Sequence, residues 1–152
     1  MKILIFNYLI IFIIIIKQFG NIVKACTCLP SSDIDKYCRS DWAARVLIYK
    51  REEIPNTSSF ENIHYTIKYL DIFKDKTEEN SYQNQTDCIY TASQSAACGV
   101  DLKINKEYLL FGGYNNGIKN INLCGYFEKW NKVPNNLKED LYNGEIGRNC
   151  TN

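Results

Sequence analysis

Cys26 and Cys28 stand one residue apart, with Pro30 two residues further on, and this is the most chemically suggestive spacing in the chain. Cysteine sulfur can bind a metal or act as a nucleophile, so both chemistries need testing against the sequence. A zinc ribbon needs two residues between paired cysteines and a second such pair. Here the gap is a single residue, and no second close pair follows. His64 is the only histidine, which removes Ser–His and Cys–His nucleophile pairs except around one position. It falls on the polar side of an alternating segment, where a solvated side chain is expected. Gly112-Gly113 and Gly117 are turn glycines with no helix opening after them, so no phosphate loop is formed. Tyr65, Tyr69, Tyr108, Phe111 and Trp130 are expected in a core and on a barrel surface rather than as stacking platforms for bases. The sequence offers no catalytic constellation: neither enzyme activity nor a cofactor of its own is expected.

Seven cysteines in 152 residues point instead to a stapled secreted domain or a metal module. The amino terminus favours export. Lys2 supplies a positive start, Ile3–Ile16 is an apolar run broken only by Asn7 and Tyr8, and Val23-Lys24-Ala25 ends on a small residue. Fourteen residues are short for a bilayer that needs about 20. Residues 1–25 are therefore expected to be a signal peptide, leaving no membrane attachment once removed. That segment holds Lys2, Lys17 and Lys24 and no acid, so removal takes 18 basic groups to 15 against 17 acidic ones. Such a balance argues against a nucleic-acid partner. Asn56, Asn84 and Asn149 open candidate glycosylation sequons, which suits an extracellular location.

The elements that must position these residues are short. Ser31–Tyr37 has the Ser/Asp character of a capped helical turn. Strands are expected over Ala43–Lys50, Ile63–Phe73, Cys88–Thr91, Glu107–Phe111 and Ile118–Cys124. In the second of these, Ile63, Tyr65, Ile67 and Tyr69 share one face, and His64, Thr66 and Lys68 the other. Pro134–Tyr142 reads as a helix with Leu137 and Leu141 at i, i+4 and Gly144 beyond its end. Five short strands with helices at the margins imply a mostly β fold, a small closed barrel forming one domain over residues 26–150.

With Cys26 as the first mature residue, the sequence resembles the tissue inhibitors of metalloproteinases in their amino-terminal, netrin-like domain. The matching stretches are Cys26-Thr27-Cys28-Leu29-Pro30, the spaced Cys38, and Ile89-Tyr90-Thr91-Ala92 leading into Ser95-Ala96-Ala97-Cys98-Gly99-Val100. Lys106-Glu107-Tyr108-Leu109-Leu110, Ile121-Asn122-Leu123-Cys124, Trp130 and Cys150 continue the match. The resemblance implies a five-stranded Greek-key barrel of the oligonucleotide/oligosaccharide-binding type, flanked by short helices. It also implies bridges Cys26–Cys98, Cys28–Cys124 and Cys38–Cys150, among connectivities that sequence alone leaves open, with Cys88 unpaired. Ending two residues after Cys150, the chain is expected to lack the second domain of vertebrate members.

The function the resemblance implies is inhibition of zinc metalloproteinases, with the target's zinc as the only metal involved. The α-amino nitrogen and carbonyl oxygen of Cys26 would chelate that zinc. Thr27 would enter the adjoining specificity pocket, and Cys28, Leu29 and Pro30 would lie along the substrate groove. Ser95, Ala96 and Ala97, tethered through Cys98, would cover the opposite side. A monomer in the extracellular space is expected. The competing reading is a secreted netrin-like module that binds extracellular matrix or a receptor without inhibiting anything, since a shared fold does not confer a shared function.

Overall fold

The sheet begins where alternation is strongest. The computed structural model describes residues 26–55, 62–77 and 85–150. The expected signal peptide and the sequons at Asn56 and Asn84 lie outside the described residues. Strand β2 (Ile63–Asp75) buries Ile63, Tyr65, Ile67 and Tyr69 inside a barrel and turns His64, Thr66 and Lys68 outward, as period-two alternation requires. Strand β1 (Trp42–Glu53) runs beyond the apolar segment because Arg51, Glu52 and Glu53 still pair with Tyr65, His64 and Ile63. Three register shifts along the β1–β2 ladder bend β1, so that it pairs with β2 on one edge and β4 on the other.

Strands β3 (Thr86–Thr91), β4 (Glu107–Asn115) and β5 (Ile118–Asn120) complete a five-stranded barrel in the order β1-β2-β3-β5-β4, closed by β4 on β1. All ladders are antiparallel except β3 on β5, which meet in parallel at Tyr90 and Asn120. The expected strand Ile118–Cys124 is shorter than its apolar pattern suggested. After Asn120 the chain turns, with the Gly125 N–H donating to the Asn122 carbonyl at 3.1 Å, and resumes as β6 (Tyr126–Lys129) on the first half of β4. The bridge from Cys124 to Cys28 draws this stretch out of the ladder.

The run Leu109-Leu110-Phe111 in β4 is almost wholly buried because the strand is covered on both faces. Leu110 joins Trp42, Val46, Ile48, Tyr65, Ile67 and Ile89 in the barrel interior. Leu109 and Phe111 face a second cluster under helices α1 (Asp33–Arg39), α2 (Asn135–Tyr142) and α3 (Glu145–Arg148). Ser32 caps α1 reciprocally with Asp35, and Leu137 and Leu141 form the buried stripe of α2. Among the described residues, no helix is long and apolar enough to cross a membrane.

Candidate functional site

From Cys26 to Ser31 the chain carries no regular secondary structure and is fixed by covalent bonds. The bridges are Cys26–Cys98, Cys28–Cys124 and Cys38–Cys150, with Cα–Cα separations of 5.2, 5.3 and 5.3 Å. These are the pairs that the resemblance implies. The first two lie side by side, the sulfurs of Cys26, Cys28 and Cys124 falling within 4.8 Å of one another. Spacing alone would suit a thiolate site, but all three sulfurs are consumed in bridges. The donors left on Cys26 are its backbone nitrogen and carbonyl oxygen.

Cys26 and Cys28 are half-buried where their bridges hold them, whereas Thr27, Leu29 and Pro30 are exposed, Leu29 at 84%. Beside this segment lies an open cleft of about 480 Å³, where Thr27, Leu29, Lys36, Arg39 and Asn122 meet.

The second limb is a 3-10 turn, Ser95–Ala97, between β3 and Cys98. The N–H groups of Ala97 and Gly99 both donate to the Gln94 carbonyl at 3.0 Å, and that of Cys98 to Ser95 at 3.1 Å. Cys98 takes a left-handed backbone, φ 60°, rare for a residue with a Cβ. At the neck of the loop, the Val100 N–H donates to Thr91 Oγ1 at 3.1 Å. The Leu123 N–H donates to the Cys98 carbonyl at 2.9 Å, bracing one bridge against the segment that carries the other. Ser95 and Ala96 are exposed, and Ala97 and Cys98 half-buried. Amino-terminal segment and turn thus form one edge, joined through Cys26–Cys98.

Away from that edge, Lys119 lies between Asp75 at 3.3 Å and Asp87 at 3.0 Å, with Tyr69 donating to Asp87 and Tyr114 to Asp75. Burial opposes the charge on each member. Hydrogen bonds and mutual attraction outweigh it, holding both carboxyls below their ordinary range and the ammonium above its own. Cys88 is a free thiol on β3, its pKa raised first by burial and then by Asp87 and Glu52, which disfavours the thiolate. The outward His64 departs from the solvated side chain expected of it. It stacks on Tyr90 with ring centroids 5.0 Å apart, and its side chain is only 18% exposed. Asn149 is exposed next to the bridged Cys150.

The family model for tissue inhibitor of metalloproteinase matches residues 24–151. The chain belongs to the tissue inhibitor of metalloproteinase family. Metalloproteinase inhibitor 3 of Scyliorhinus torazame is 26% identical over 135 residues, covering 88% of this chain and 61% of that protein. Metalloproteinase inhibitor 3 of Gallus gallus is 27% identical over 131 residues, covering 85% and 59%. Metalloproteinase inhibitor 2 of Canis lupus familiaris is 30% identical over 135 residues, covering 83% and 59%. This member of the tissue inhibitor family therefore spans about six-tenths of the length of the relatives it matches.

Proposed function

We propose that this chain is a secreted inhibitor of zinc metalloendopeptidases of the matrix metalloproteinase kind, and not itself an enzyme. The observation that carries the reading is the terminal edge. Cys26 is locked to the Ser95–Ala97 limb, its sulfur is committed to a bridge, and its backbone donors are what remain for a metal. Family membership supports inhibition in general terms. Cleavage after Ala25 would create the α-amine, whose lone pair and neighbouring carbonyl would take the place of the water on the protease's catalytic zinc. Thr27 would fill the adjoining pocket, Cys28, Leu29 and Pro30 would follow the substrate groove, and Ser95–Ala97 with Cys98 would close the other side.

An α-amine has an ordinary pKa of about 7.7–8.0, and only its neutral form can donate. Apparent affinity should therefore fall roughly tenfold for each pH unit below that range. The direct test is titration of a matrix metalloproteinase catalytic domain, followed by peptide cleavage, with chains of sequenced amino terminus. Stoichiometric inhibition is expected from a chain beginning at Cys26, and none after acetylation of its amine or from a chain that keeps Ala25. Inactivity of the Cys26 form across several such proteases would sink the mechanism and leave a matrix- or receptor-binding module.

A further inference from the structure

The turn that carries Ser95–Ala97 is secured unequally at its two ends. Its far end is held by the Cys98 bridge, by Leu123 and by the Val100–Thr91 bond. At its near end, Ala92 is buried and the exposed Ser93 and Gln94 follow. Among the described residues, the hydrogen bonds that reach residues 93–95 from elsewhere in the fold come from one side chain. Asn62 Nδ2 donates to Ser93 Oγ at 2.7 Å, and the Ser93 N–H donates to Asn62 Oδ1 at 2.7 Å. Asn62 is itself anchored, because its carbonyl accepts the Ile54 N–H at 2.8 Å across the β1–β2 hairpin. A primary amide offers a donor and an acceptor on one rigid plane, which matches the hydroxyl and N–H of a single serine. The residue after Ser93 is Gln94, whose carbonyl organises the whole turn.

We propose that Asn62 is a positioning residue for the Ser95–Ala97 limb, holding the near end of the turn through its double bond pair with Ser93. The proposal rests on the inhibitory reading above. Both partners lie at the surface, so the pair adds little to global stability. Its effect is local: without it, residues 93–95 regain backbone freedom that must be lost again on docking.

The chemistry dictates a discriminating series. Asn62→Ala removes both bonds. Ser93→Ala keeps the bond from the Ser93 N–H and loses the other. Asn62→Asp restores both in altered form, since one carboxylate oxygen accepts the N–H and the other the serine hydroxyl. Two readouts are taken on the full mature chain: amide hydrogen exchange of Ala97, Cys98 and Gly99 by NMR, and inhibition of a matrix metalloproteinase catalytic domain. Asn62→Ala should leave the melting temperature in place, speed those exchanges and weaken inhibition, each on the order of tenfold, the scale of one to two neutral hydrogen bonds. Ser93→Ala should fall between, and Asn62→Asp should recover both readouts. Unchanged exchange in Asn62→Ala, or failure of Asn62→Asp to recover it, overturns the proposal. So does a melting temperature that falls with Asn62→Ala and is not restored by Asn62→Asp. If the unsubstituted chain does not inhibit while its amides still respond in this order, the inhibitory reading fails and the clamp stands.

Discussion

At Gly99 the fold has room for a hydrogen and nothing larger. A Cβ there would collide with the Ala92 carbonyl and come within 2.9 Å of the Gln94 carbonyl, both backbone atoms that cannot swing aside. Gly99→Ala should cost about 1–3 kcal/mol, the usual penalty of overpacking, read as a lower urea midpoint. Because Cys98 is the neighbour, inhibition should weaken too, even where the variant is fully folded. Lys119 makes a different residue-scale case. Replacing it with Met strands Asp75 and Asp87 without their shared cation, at about 3 kcal/mol, the low end for breaking a buried pair because Asp87 keeps about a third of its exposure. Depressed carboxyl pKa values stabilise the fold above the unfolded Asp value of about 3.9, and that contribution disappears as pH falls through the folded values. Denaturation of the two proteins compared across pH should therefore show the widest gap at pH 7 and a narrowing one below about pH 4.

Among the elements, β4 decides how the helices attach. Covered on both faces, it hands Leu109 and Phe111 to the helical side, where Leu137 and Leu141 of α2 meet them. Leu137→Ala should destabilise by about 2–4 kcal/mol in denaturant titration while leaving the bridged edge intact, since α2 lies on the far cluster from that segment. Much at this scale was legible beforehand. The alternation in β2, the i, i+4 leucines of α2 and the Ser/Asp character of Ser31–Tyr37 are local signals, and local signals survive in a sequence. What escaped is non-local. Tyr126–Lys129 alternates too weakly to announce β6, which exists because β4 has an edge to share. His64 sits on the predicted face, yet Tyr90 of the next strand covers it, a contact set by cross-strand register rather than by its own neighbours. In the candidate site, Cys26–Pro30 and Ser95–Cys98 were visible through resemblance. Asn62 was not, because an asparagine before a strand carries no chemical signature until folding brings it to the edge.

For the molecule as a whole, the three bridges divide into two duties. Cys26–Cys98 and Cys28–Cys124 build the edge, whereas Cys38–Cys150 ties α1 to the end of the helical layer. Replacing Cys38 and Cys150 together by Ala should lower stability by about 5 kcal/mol, as expected for a loop of 112 residues, seen as a lower melting temperature. Inhibition measured at 25 °C should survive. Cys88→Ser should leave stability within about 1 kcal/mol and the elution volume unchanged, because that thiol is half-buried and takes no part in a bridge.

The separations within the bridges also bear on how the molecule is made. Cys26, Cys28 and Cys38 precede their partners by 72, 96 and 112 residues, so in a chain synthesised from its amino end each of them waits for most of the barrel. During that interval the near neighbours Cys26, Cys28 and Cys38 can oxidise with one another, and Cys88 becomes available to them before Cys98 does. Any such early pair must be exchanged before the native set forms, and that set is complete only when Cys150 reaches Cys38. The amino-terminal limb of the edge is synthesised long before Cys124, so a chain interrupted before residue 124 cannot form the Cys28–Cys124 bridge that locks it.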